Sequence, residues 1–411
     1  MMRVARHSDW SAARHVLAVR LDAIGDVLMT TPALRALKRA RRGRRLTLLT
    51  SAAGAEIAPL IPEIDDVIVY QAPWMKASGT RLAADVDRDL VERLRTAGFD
   101  GAVVFTVYSQ NPWAAATLCY LAGIPRRLAH SRENPYQLLT DWIPEPEPHA
   151  LMRHEVRRQM DLVAHIGARS DDARLSLIVP SAAHARAQAF LDGCRIDTNI
   201  PWVVIHPGAS APSRRYPAEG YAQVARTLVR RYGWQVVFSG SAGEMELIEH
   251  IRLLMGAPSH SAVGRLDLPA LCALVDVAPL LISNNTGPAH IAAAVGTPVV
   301  DLYALTNLQH MPWMVESRVL YHDVPCKHCY KSICPQGHHD CLRRVTPAAI
   351  VDAAMELVVV RYGNVAQSTW KVGNAKRCLS PILTLPRERG GGNGRGVQDN
   401  GTWHTDGTRG E

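Results

Sequence analysis

HVLAVRLDAIGDVLMTTPALRALKRA, residues 15–40, passes from a short apolar run into a stretch of helical period through one brief turn. A strand handing over directly to a helix is the repeating step of a parallel sheet wrapped by helices, rather than of a sandwich or a bundle. The same step recurs at LTLLT (46–50), DVIVY (66–70) and GAVVFT (101–106). It restarts at WVVIHPG (202–208), WQVVFSG (234–240), PLLISNN (279–285) and TPVVDLY (297–303), each run ending in a polar or glycine-bearing turn. The expected fold class is therefore α/β, with one unit over residues 14–185 and a second over 196–345. Pro180 to Pro201 supplies a linker and one helix between them. A helix from Pro217 is expected to bury Tyr221, Val224, Ala225, Leu228 and Val229 on one stripe. A last helix over 346–362 starts at Thr346, a good N-cap, and gathers Ile350, Ala353, Ala354, Leu357 and Val358 on one face. Beyond it, residues 363–411 turn glycine-rich and polar and are expected to be disordered.

Composition sets the outer bounds. Of 411 residues, 47% are hydrophobic and 20% charged, which excludes a mainly disordered chain. No run approaches the roughly 20 apolar residues of a bilayer span, and the N-terminus lacks the apolar core of a signal peptide, so a cytoplasmic protein is expected. Forty-six Lys and Arg against 38 Asp and Glu give a net charge of +8, which favours anionic ligands or an anionic membrane face. Eight cysteines are too few for a disulfide scaffold, yet four of them fall between Cys326 and Cys341.

Four segments carry candidate chemistry. In the turn after the first strand, Gly25 permits a tight path, and Asp26 stands where a helix begins, as a cap or as a carboxylate at the ligand-binding edge of the sheet. The turn has no G-x-G-x-x-G pattern, which counts against a dinucleotide enzyme. HPGASAPSRRYPAEGY (206–221) combines a strand end, a small-residue loop containing Ser210, the adjacent Arg214 and Arg215, and a helix start. Backbone N–H groups, guanidinium forks and a helix N-terminus are the parts that hold a diphosphate without metal. LISNNTGPAHIAAAVGTPVVDLY (281–303) offers a second anion seat through Asn285, Thr286 and Gly287, with His290 near the helix start. Cys326, Cys329, Cys334 and Cys341 follow a C-x2-C-x4-C-x6-C spacing, read as a structural zinc site or a redox-sensitive clip with no open position for chemistry.

Taken together, RLDAIGDVLMTTPALRALKRA (20–40), HPGAS followed by RRYP (206–217) and NNTGPAHIAAAVGTPVVDLY (284–303) resemble the three signature regions of glycosyltransferase family 9, the bacterial heptosyltransferases of lipopolysaccharide core synthesis. The likeness runs from about Val16 to Leu357. It implies a GT-B fold of two Rossmann-like domains facing across a cleft, acceptor on the first and nucleotide sugar on the second, with the last helix crossing back to the first domain. It further implies an inverting, metal-independent transfer of heptose or a related sugar from an ADP-type donor to a glycan or glycolipid acceptor, with peripheral contact at the inner membrane. No cofactor is required. By the family's pattern Asp26 is the general base, Arg214 with Arg215 neutralises the leaving diphosphate, Ser210 faces the phosphates, Thr286, Gly287 and His290 belong to the donor loop, and Glu244 corresponds to a ribose-binding acid. Asn285 replaces the usual Asp of the donor motif, so a contact to the donor is expected to have lost its charge, and Asp22 replaces a small residue near the base. The competing readings are an inactive sugar-nucleotide-binding protein with a Cys-rich structural or regulatory element, and a nucleic-acid binder suggested by RRGRR (41–45). No recognised nucleic-acid motif accompanies that basic run.

Overall fold

The computed structural model describes residues 8–75 and 84–362. The tail expected to be disordered, 363–411, lies outside the described residues. The chain divides into two compact units between Ile178 and Val179. The first unit carries β1 (His15–Arg20), α1 (Ile24–Ala40), β2 (Arg45–Thr50), α2 (Ala52–Ile57), β3 (Asp66–Val69) and α3 (Ala84–Ala97). It continues with β4 (Gly101–Val104), α4 (Trp113–Leu121), β5 (Arg127–Ser131), β6 (Asp141–Pro144) and α5 (Glu155–Ala164). The second unit opens with α6 (Ser181–Gly193), β7 (Trp202–His206), α7 (Ala218–Tyr232), β8 (Gln235–Phe238), α8 (Met245–Met255) and β9 (His260–Ser261). It closes with α9 (Leu268–Val277), β10 (Leu281–Asn284), α10 (Gly287–Val295), β11 (Val299–Leu302), β12 (Ser317–Leu320), α11 (Asp340–Arg343) and α12 (Pro347–Tyr362).

Each unit holds a six-stranded, parallel sheet, ordered β3-β2-β1-β4-β5-β6 in the first and β12-β11-β10-β7-β8-β9 in the second. Read from its other edge, the second order repeats the first, with β7 in the place of β1 and β10 in the place of β4. The α/β class expected from the sequence is therefore the observed one. β5, β6, β9 and β12 extend the sheets beyond the expected strands, and their sequences RLAHS, DWIP, HS and SRVL lack the continuous apolar run that marks a doubly covered strand.

Local chemistry explains the helices that frame the site. α1 contains Pro32, whose missing N–H would leave the Leu28 carbonyl without its helical partner. The Thr31 hydroxyl donates to that carbonyl at 2.7 Å, so the helix continues. α7 buries Tyr221, Val224, Ala225 and Leu228, as its spacing requires, and ends on Gly233 in the left-handed region at φ 68°. Pro217 is its N-cap rather than a residue of its first turn. α12 starts as expected, with the Ala349 N–H donating to Thr346 Oγ1 at 3.2 Å. Its stripe Ile350, Ala353, Ala354, Leu357 and Val358 joins the core of the second unit, against α7, β11 and β12. α7 and β11 present the apolar surface that the stripe needs. Among the described residues no helix is long and apolar enough to cross a membrane.

Candidate active site

In an open parallel sheet, ligands bind beyond the carboxyl ends of the strands where the strand order reverses. In the first unit that point lies between β1 and β4, and the loops leaving both strands meet there: Gln110 Nε2 donates to Asp22 Oδ1 at 2.6 Å. β1 ends in Arg20, which is completely buried. A guanidinium survives burial only when its charge is matched and its donors are used. Three carboxylates match it: Glu155 Oε1 at 2.9 Å, Asp26 Oδ1 at 3.1 Å and Asp22 Oδ2 at 3.1 Å. Glu155 is delivered by α5, which packs along α1, and it also accepts from Gln159 Nε2 at 2.5 Å.

Asp26 occupies the third position of α1, and its Oδ2 takes the Ala23 N–H at 3.2 Å. It is therefore a helix cap and a partner of Arg20 at once, while a fifth of its side-chain surface, 20%, stays open. Asp22 is the more enclosed of the two acids. Burial pushes its carboxyl up to about 6, against the pull of Arg20, and the Asp26 charge acts in the same direction as burial. Two acids thus face one cation at this edge, the more enclosed of them holding its proton more tightly than a free carboxyl.

The second unit builds its counterpart between β7 and β10. Asn284 closes the last turn of β10, its Nδ2 donating to the carbonyls of Pro207 at 2.7 Å and Gly208 at 3.2 Å, while its Oδ1 accepts the Tyr216 N–H at 3.0 Å. One side chain so ties together the loop after β7, the turn carrying Arg214 and the loop after β10. Glu244 lies against the same loop: its Oε2 accepts from the Ser241 N–H at 2.7 Å, and its Oε1 packs over Gly208 so closely that a Cβ there would come within 1.8 Å. Any side chain at 208 would have to displace the Glu244 carboxylate. His206 is buried beside them, its Nδ1 3.2 Å from Ser239 Oγ, and burial pushes its pKa down.

The two arginines part company. Arg215 is exposed and its Nε donates to the Ala209 carbonyl at 2.7 Å, bracing its own loop. Arg214 is half-buried and its charge acts on Asp301 and Tyr303 of the neighbouring strand end. Ser210 stands exposed on the loop between β7 and α7. Thr286 is the N-cap residue of α10 and spends no side-chain hydrogen bond on capping, and Gly287 opens the helix. His290, one turn on, is buried.

Asp301, on β11, is completely buried, with Oδ2 held by Asn285 Nδ2 at 3.2 Å and no hydrogen-bond partner for Oδ1. Burial pushes its carboxyl from 3.8 up to about 7, against the Asn285 hydrogen bond and the Arg214 charge. The folded chain thus keeps a proton that the unfolded chain releases, so this group's contribution is complete below its unfolded value of 3.8 and is lost as pH rises through about 7. Asp301→Asn is expected to flatten that decline. Urea midpoints from pH 4 to pH 8 measure it, and a wild-type slope in the variant would show that Asp301 does not titrate in this range.

The cysteine loop is near the second half-site but does not enter it. Cys326, Cys329, Cys334 and Cys341 are free thiols lining one cavity with His338 and His339, and Cys326 Sγ lies 3.7 Å from His338 Nε2. Among the described residues no group of three or more His, Cys, Asp or Glu is arranged to hold a metal ion. What the loop holds is the arginine turn. Ser213 donates its N–H to the Ser332 carbonyl at 3.0 Å and its hydroxyl to the Lys331 carbonyl at 2.7 Å, while the His328 and Tyr330 N–H groups bond to the carbonyls of Leu305 and Thr306.

Sequence reasoning missed Arg20, Glu155, Gln110 and Asp301. Arg20 and Asp301 do leave a trace, each a lone charge within or at the end of a strand that is otherwise apolar. Gln110 and Glu155 leave none, since they arrive from 88 and 135 residues away.

The profile of glycosyltransferase family 9 (heptosyltransferase) matches residues 88–339. Lipopolysaccharide heptosyltransferase 2 of Salmonella typhimurium is 24% identical over 359 residues, spanning 84% of this chain and 98% of that protein. Among solved structures, a family 9 glycosyl transferase from Veillonella parvula matches with a TM-score of 0.73 at 22% identity, over 87% of this chain and 99% of that one. The E. coli heptosyltransferase WaaC, solved with ADP-2-deoxy-2-fluoro heptose, matches with a TM-score of 0.60 at 19% identity, over 83% and 99% of the two chains.

Proposed function

Because the chain belongs to glycosyltransferase family 9, we propose that it transfers heptose or a related sugar from an ADP-linked donor to a lipopolysaccharide-core or other glycan acceptor, inverting the anomeric carbon without a metal in the chemical step. That it is a glycosyltransferase of the heptosyltransferase kind follows from the family match and the end-to-end likeness to lipopolysaccharide heptosyltransferases. The observation that carries the finer reading is the content of the two strand-order reversals: an acidic edge on the first sheet, an arginine and amide-rich edge on the second.

In this reading Asp26 accepts the proton of the acceptor hydroxyl as that oxygen attacks the anomeric carbon. The bond from that carbon to the diphosphate oxygen breaks, and its electron pair leaves on the diphosphate. Arg214, the small-residue loop after β7 and the N-terminal N–H groups of α10 meet the growing negative charge. Asn284 fixes the loops that carry these groups, so little reorganisation is needed when the charge develops. A lipid-linked acceptor places the enzyme peripherally at the inner leaflet of the membrane, where the net charge of +8 assists docking. Asp26 and Arg214 speak against a catalytically silent binder, which has no use for a base.

Arg214→Ala is expected to weaken ADP binding about 10- to 100-fold, the worth of a charge-assisted contact, and Arg215→Ala by less because part of its guanidinium already braces the loop. Calorimetric titration with ADP measures both. Unchanged affinity in the two variants would reduce the turn to packing, and loss of transfer in excess EDTA would remove the metal-free step.

A further inference from the structure

Asn285 directly follows β10 and is 5% exposed. Its Nδ2 donates twice beneath the loop, to Asp301 Oδ2 at 3.2 Å and to the His310 carbonyl at 2.7 Å. A backbone carbonyl can only accept, so the amide nitrogen must face it, and the amide plane then fixes where the oxygen points. That oxygen takes no hydrogen bond from a described residue and is not among the atoms sealed from solvent without a partner. The donor motif therefore keeps an oriented acceptor at 285, although the residue is neutral.

Asp301 sets what an acid at 285 would meet. A carboxylate at 285 would stand about 3 Å from a second one in a dry site, and two such acids cannot both ionise. An acid does stand one layer back, on β11: the Asp301 carboxyl, which burial holds protonated up to about 7 and whose Oδ1 has no hydrogen-bond partner among the described residues.

We infer that Asp301 is a positioning residue for donor recognition: by taking one N–H of Asn285 it holds the amide oxygen toward the donor loop, as a neutral acceptor for a hydroxyl of the transferred sugar. The inference rests on the nucleotide-sugar reading above. It assigns the contact to the sugar and not to the nucleotide, which separates its test from that of the arginines. An acceptor of this kind selects a donor with a hydroxyl at the contacted position, since an analogue lacking it leaves the oxygen unpaired.

The experiment compares binding of ADP and of ADP-heptose by wild type, Asn285→Asp, Asp301→Asn and the double variant. In wild type ADP-heptose should bind more tightly than ADP. Asn285→Asp should lose about five- to tenfold in ADP-heptose affinity, a neutral hydrogen bond's worth, and Asp301→Asn a similar or smaller factor, with ADP affinity held within about twofold in both. The double variant, which places the carboxylate over the amide, should recover severalfold of the Asn285→Asp loss. Equal effects on ADP and ADP-heptose, or a double variant no better than Asn285→Asp, would overturn the role of Asp301. A wild type that binds ADP-heptose no more tightly than ADP overturns this inference alone; a wild type that binds neither overturns the nucleotide-sugar reading as well.

Discussion

Asp26→Ala is expected to lower turnover by about 10²- to 10⁴-fold while ADP affinity stays near wild type, because proton removal by a positioned carboxylate contributes that much and the nucleotide is assigned to the other unit. The side chain also has a structural duty, since its Oδ2 takes the Ala23 N–H at the start of α1. A lost cap costs about 1 kcal/mol, too little to unfold a core that includes Val27, Leu28 and Leu34. Asp26→Asn keeps an amide oxygen for the Ala23 N–H, gives up the second oxygen that meets Arg20, and cannot serve as a base. Turnover should collapse in both variants. If the Asn variant keeps wild-type turnover, Asp26 is a cap and the base lies elsewhere.

Arg20→Met should give the largest loss of stability, about 3–5 kcal/mol, because it leaves Glu155 and Asp22 buried without their cation. Urea unfolding reads this directly. The penalty belongs to the stranded charges rather than to the missing contact, so adding Glu155→Gln to Arg20→Met should restore part of it, although two of the original partners are then gone. Loss of Arg20 also removes the only influence among those named above that strongly opposes burial at Asp22, whose carboxyl should then titrate still higher. If Arg20→Met unfolds at the wild-type urea concentration, the cluster is a solvated surface network and not the anchor of the acidic edge.

The central strands of both sheets could be read from the sequence because a strand covered on both faces must be apolar along its whole length, as in HVLAVR and WVVIH. Edge strands face no such demand, which is why DWIP and SRVL passed unnoticed. The site divides in the same way. Asp26, Arg214 and the Asn284–Gly287 turn stand at strand ends, where position along the chain already says which edge a residue occupies. Glu155, Gln110 and the Asn285–Asp301 pair depend on which loops the topology brings together. Asn285 shows the limit most plainly: as a letter in a motif it signals a missing charge, and only the strand beside it shows the buried acid that its amide holds.

Ser213 stands one residue before Arg214, and both its hydrogen-bonding groups end on carbonyls of the cysteine loop. That makes the loop a splint for the guanidinium: a shift of its backbone is carried through two short bonds to the side chain assigned to the leaving group. The thiol-lined cavity is thereby tied, through Ser213, to the reach of the guanidinium proposed to meet the leaving group.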